Sequence, residues 1–123
     1  MAFKFEKLIV WEKALELTNS VDQRIKRFPN DELYVLTNQI KRAADSIALN
    51  IAEGSTGQSN AEFIRFINFA IRSGIEVVAC LHVGKKREII DEDSFHKNYE
   101  ETEKLIISLQ ALKKSLGNNR KRN

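Results

Sequence analysis

The residue pattern predicts an all-α protein, an antiparallel up-down-up-down four-helix bundle. Two observations predict it. Apolar residues recur at three- and four-residue steps through four long segments. One proline and five glycines punctuate 123 residues, with little of the alternation that strands need. That length makes one domain with room for a core that needs neither disulfide nor metal. Hydrophobic residues at 42% and charged residues at 30% describe a folded chain rather than a disordered one.

The first helix is expected over residues 8–28, with Leu8, Trp11, Ala14, Leu15, Thr18, Val21, Ile25 and Phe28 on one face. Pro29 ends it, and Asn30 and Asp31 offer the next cap. The second is expected over 31–53, with Ile40, Ala43, Ala44, Ile47 and Ile51 on one side. Gly54 suits a left-handed terminal residue. The polar linker Ser55-Thr56-Gly57-Gln58 is short enough to make helices two and three antiparallel neighbours.

Ser59 and Glu62 match a capping box that opens the third helix, expected over 60–87. Its apolar residues cover roughly 240° of the circumference. Arg65, Asn68, Arg72 and Glu76 form the narrow polar strip. A bundle fills its core with about half such an arc, so the third helix carries a surplus. Asp91, Glu92 and Asp93 favour the start of a fourth helix over 92–116. Phe95, Tyr99, Thr102, Leu105, Ile106, Leu109, Leu112 and Leu116 make its seam. Gly117 stops it, leaving 118–123 as a basic tail.

A second line runs along the second helix beside its apolar seam: Gln39, Arg42, Ser46, Asn50 and Glu53. Two readings stand. The line is an interhelical polar ladder that fixes register, or it works on something outside the bundle.

The net charge is +3, with a pI of about 9.1. Basic clusters occur at Lys41-Arg42, Lys85-Lys86-Arg87, Lys113-Lys114 and Arg120-Lys121-Arg122. They suit phosphate contacts, and they also suit helix C-termini, where cations meet the negative end of the dipole. Arg65 and Arg72, seven apart, point the same way and extend the candidate phosphate row. Phe63, Phe66 and Phe69 flank Arg65 on the apolar arc and belong to the core or to a subunit interface.

Enzyme chemistry finds little support. Di-metal bundles need paired Glu-x-x-His motifs, and the chain has none. His82 and His96 lack a ligand cluster, so no metal and no cofactor are expected. The close Arg–His spacing of helical ribonucleases of the HEPN type is not met by Arg72 and His82 or by Arg87 and His96. Gly54-Ser55-Thr56-Gly57 lacks the lysine of a phosphate loop and follows a helix. Cys80 sits in an apolar run and reads as a small core residue. As the single cysteine, it also suits a reducing cytosol. No signal peptide or membrane span is expected, which makes the chain cytoplasmic.

Three segments together carry a resemblance: Phe5-x-x-Leu8-x-Val10-Trp11-x-Lys13-Ala14, the run from Gln39 to Gly54 ending Asn50-Ile51-Ala52-Glu53-Gly54, and Ser59-x-x-Glu62-Phe63-x-x-Phe66. They resemble the four-helix-bundle family of 23S rRNA intervening-sequence proteins, over nearly the whole chain. One departure falls at Arg72-Ser73-Gly74-Ile75-Glu76, where Arg and Gly replace small and bulky types. The resemblance implies a cytosolic bundle assembling as a homopentamer, which would use the surplus arc of the third helix through Phe66, Phe69 and Ile75. Some members are encoded within inserts of large-subunit rRNA genes. A similar family serves diversity-generating retroelements as an accessory protein, a basic pentamer that binds nucleic acid and the reverse transcriptase. No catalytic residue transfers. The expected function is therefore a non-enzymatic oligomer binding RNA or DNA through Lys41, Arg42, Arg65, Arg72, Lys85, Lys86 and Arg87. The alternative is an adaptor oligomer with a protein partner.

Overall fold

A computed structural model describes residues 2–25, 31–57 and 59–122, with side chains for all of these except 31–34 and 119–122. A 3-10 turn at Lys4–Lys7 leads into α1 (Ile9–Ile25), α2 (Asp31–Ser55), α3 (Asn60–Lys86) and α4 (Glu92–Arg122). No strand occurs among the described residues. Each helix packs against its two neighbours in a square, α1 on α2 and α4, α3 on α2 and α4, and among the described residues the backbones do not approach across the diagonals.

Each helix contributes one stripe to the core. On α1 it runs Val10, Ala14, Leu17, Val21 and Ile25, all buried. Val10 and Leu17 therefore lie inside, while Leu15 of the expected face is 43% exposed. On α2, Ile40, Ala43, Ala44, Ile47 and Ile51 are buried as a set. Phe63, Ile67, Ala70, Val77 and Leu81 of α3 face them, and Phe95, Leu105 and Leu109 of α4 close the core. Each large side chain so buried contributes about 1.5–3 kcal/mol.

The helix ends correct several expectations. Residues 26–30, with the predicted Pro29 stop and Asn30 cap, lie outside the described set. Gly54 stays within α2, and no described glycine has positive φ. A Cβ at Gly54 would stand 2.5 Å from the Cβ of Phe66, so the glycine allows close approach of α3 rather than a left-handed turn. The hydroxyls of Ser55 and Thr56 instead satisfy the last carbonyls, on Ala52 O and Glu53 O, each at 2.7 Å. At the start of α3, Ser59 Oγ accepts the Glu62 N–H at 3.1 Å. The Glu62 carboxylate lies 3.8 Å from Arg65.

Gly117 does not stop α4, which continues through residues 118–122 to Arg122, where a free basic tail was expected. No apolar residue or proline follows that glycine to anchor a terminal turn, and the cations beyond it suit the helix's negative end. The α3–α4 connection is tight: the N–H groups of Ile89 and Ile90 both reach Gly84 O, at 2.8 and 3.2 Å. Glu88 takes the left-handed conformation there, with φ 58°. At the family departure, Gly74 leaves space that Ile106 fills, since a Cβ would sit 3.0 Å from Ile106 Cγ1.

By length and composition alone, α3 is long and apolar enough to cross a membrane. In the bundle, however, it packs between α2 and α4.

Candidate nucleic-acid interface

The α2 polar line faces the cleft between α2 and α3. Its middle is internal: Asn50 Nδ2 donates to Ser46 O at 2.8 Å and to Ser46 Oγ at 3.0 Å. Ser73 Oγ of α3 donates to Ser46 Oγ across the cleft at 3.0 Å. The rest of the line is not a ladder. The side chains of Gln39, Arg42 and Glu53 are exposed and make no hydrogen bond or ion pair among the described residues. Gln39, Arg42 and Ser46 line an open groove of about 640 Å³ with Ser73 and Glu76. A second groove of about 630 Å³ shares Val35, Gln39 and Glu76 and continues past Ala79, Cys80 and Val83 to Arg87.

The predicted cations divide between two environments. Lys41 points away from the groove and pairs with Asp22 of α1 at 2.9 Å. Lys85 pairs with Glu92 of α4 at 3.2 Å and lies 4.4 Å above the Phe95 ring. Those bonds and the lysine charge hold the Glu92 carboxyl below the usual carboxylate range, with His96 adding to the effect at 3.3 Å. Both lysines are thus partly neutralised. Arg42, Arg72, Lys86 and Arg87 are exposed and have no ion pair among the described residues. Arg65 is exposed, near Glu62, and lies about 5.4–5.5 Å over the rings of Phe66 and Phe69.

The apolar candidates border the exposed strip of α3, with Phe66 and Phe69 on one edge and Ile75 on the other. Phe66 is half-buried and meets Phe69 edge-on at 5.8 Å. Phe69 is 38% exposed and Ile75 56%, and Leu49, Val35 and Val83 add exposed apolar surface around the cleft. Phe69, Ile75 and Val83 are the part of the α3 surplus arc that the single bundle leaves uncovered. Cys80, buried at the groove floor, has its thiol pushed above the usual range by burial and then by the neighbouring Glu76 charge. Among the described residues no group of three or more His, Cys, Asp or Glu gathers as a metal site.

A polar seam that the sequence reading missed joins α1 to α4. Lys13 Nζ donates to Ser108 Oγ at 2.8 Å, and Ser20 Oγ to Glu101 at 3.1 Å. Asn98 Nδ2 donates to Ser20 Oγ at 2.9 Å, and Arg24 pairs with Asp93 at 3.3 Å. Asn98 and Thr102 are fully buried. The available signal was the spacing of Asn98, three after Phe95 and seven before Leu105, which places a polar residue inside the apolar seam.

No curated protein matches the chain. A solved structure from Bacteroides thetaiotaomicron VPI-5482, described as a protein with unknown function from the S23 ribosomal protein family, is similar. It aligns with TM-score 0.80 and 26% identity, covering 86% of this chain and 99% of that one. The family model for 23S rRNA-intervening sequence proteins matches residues 6–111. With four packed helices and a match over most of its length, the chain belongs to the 23S rRNA-intervening sequence protein family.

Proposed function

We propose that the protein is a non-enzymatic, cytoplasmic helical-bundle oligomer, a homopentamer by family resemblance, that binds RNA or DNA through phosphate contacts. The observation carrying this reading is the set of exposed arginines along α2 and α3: Arg42, Arg65, Arg72 and Arg87. Three of these four lack an ion pair among the described residues. A guanidinium without a carboxylate partner is free to fork onto a phosphate. Oligomerisation repeats the row in each copy, so a modest charge per chain sums to a strong field. The link to 23S rRNA in the family's name supports the same class of partner.

The test is fluorescence-anisotropy binding to structured RNA and duplex DNA over a salt series, on protein whose mass is set by light scattering. Affinity should fall steeply with salt, and Arg65→Glu/Arg72→Glu should abolish it. Flat, negligible binding refutes the proposal. A second reading, an adaptor for a protein partner, is favoured by one observation: the α2–α3 groove mixes exposed Val35 and Val83 with Gln39 and Glu76. It predicts partner capture that survives the double arginine change.

A further inference from the structure

The two ends of the bundle differ in charge and in aromatic surface. At one end α1 and α3 begin and α2 and α4 finish, as the Lys13–Ser108 and Asn60–Leu116 contacts show. At the other, the charges balance: Lys85 pairs with Glu92 and Arg24 with Asp93, while Lys86 and Arg87, without an ion pair among the described residues, are offset by Glu88 and Asp91 nearby.

The first end is different. Phe3 is 63% exposed, yet its backbone N–H is held by the Glu6 carboxylate at 2.9 Å. Its ring stacks on Phe5 at 6.1 Å with an interplanar angle of 23°, and Phe5 meets Trp11 edge-on at 4.7 Å. The outermost ring of this tier is fixed and open to solvent. Lys4, beside it, lies 5.4 Å over the Phe63 ring. Lys7, Lys113 and Lys114 are exposed at the same end without an ion pair among the described residues. Glu12 and Glu53 are exposed there and oppose them, and Glu6, bound to the Phe3 N–H, and Glu62, near Arg65, add two more carboxylates at this end.

We propose that this end is a contact site for single-stranded nucleic acid, with Phe3 stacking on a base and Lys4, Lys7, Lys113 and Lys114 holding the flanking phosphates. The proposal rests on the nucleic-acid reading above and adds to it a preference for unpaired strands. An exposed, pre-positioned ring next to free cations is the pairing that single strands recognise. A duplex keeps its base faces stacked and offers only phosphates; an acidic peptide uses the lysines and has no need of the ring.

The chain's one tryptophan, touching Phe5, reports on this site directly. Labelled 20-nucleotide RNA and DNA strands, and duplexes of the same length, are titrated by anisotropy while Trp11 emission is followed. Single strands should bind tighter than duplexes and perturb Trp11. Phe3→Leu, checked for an unchanged melt by circular dichroism, should weaken single-strand binding by about fivefold or more and leave duplex binding unchanged. Phe3→Trp should retain the preference. Lys113→Glu/Lys114→Glu should reduce the salt slope. An unaltered single-strand affinity in Phe3→Leu, with loss in Arg65→Glu/Arg72→Glu, overturns this proposal and leaves the phosphate reading standing. Wild-type protein that binds neither form at low salt overturns both.

Discussion

Two glycines on helices make opposite predictions, because one is crowded and the other is not. A Cβ at Gly54 would meet the Phe66 Cβ at 2.5 Å, an atom fixed to the α3 backbone, so the helices must part to admit it. Gly54→Ala should cost about 1–3 kcal/mol in urea unfolding, the usual penalty of overpacking. Gly117 has nothing within 4 Å and lies inside α4. Gly117→Ala should stabilise by roughly 0.5–1 kcal/mol, the helix-interior difference between the two residues. A destabilised Gly117→Ala would mean that α4 ends there after all. At Cys80, burial and Glu76 raise the thiol pKa, so the reactive thiolate forms only above the usual thiol range. Alkylation at pH 8 should be slow in the native protein and fast in denaturant. The linkage has a definite sign: the raised pKa adds stability that is complete below the ordinary thiol pKa and fades as pH climbs toward the folded value.

At the scale of the element, the α1–α4 seam is where polarity is buried most deeply, and its parts are unequal. Ser20→Ala leaves the Asn98 amide without its acceptor in a fully buried position, which should cost about 1–3 kcal/mol. Asn98→Leu removes that donor together with Asn98 Oδ1, which has no hydrogen-bond partner, and should be neutral or stabilising. Urea midpoints of the two variants check the order. This seam also marks what was legible. The α2 stripe was readable because Ile40, Ile47 and Ile51 declare their side by repetition. The buried face of α4 was half-readable: Thr102 falls in the apolar repeat and is buried, whereas Asn98 looks like a surface residue until α1 supplies Ser20 beside it. Gly54 and Gly117 both read as helix stops, because a sequence states that a residue lacks a Cβ but not what would collide with one. Lys41 and Lys85 looked like phosphate ligands because Asp22 and Glu92, distant or across a turn, meet them only in the fold.

For the whole molecule, the exposed strip of α3 poses a competition. Phe69 and Ile75 are 38% and 56% exposed and lie about 120° apart round the helix, with Arg72 and Glu76 between them. A subunit interface that engages both apolar residues must also cover the two charges, neither of which has an ion pair among the described residues. Covering them is tolerable only if a neighbouring copy supplies opposite charge, because an unpaired buried charge costs several kcal/mol. The face carries both signs, so such pairing between copies is available. Ile75→Lys should therefore give a folded species of lower mass in analytical ultracentrifugation, its helical circular dichroism retained. Unchanged sedimentation would refute Ile75 as an interface residue. Arg72→Glu decides how the strip is shared. With phosphate as its partner, the variant keeps the wild-type mass and loses nucleic-acid affinity. With a neighbouring copy as its partner, mass falls first and binding follows only through lost avidity, which a bundle-end site such as Phe3 would partly retain.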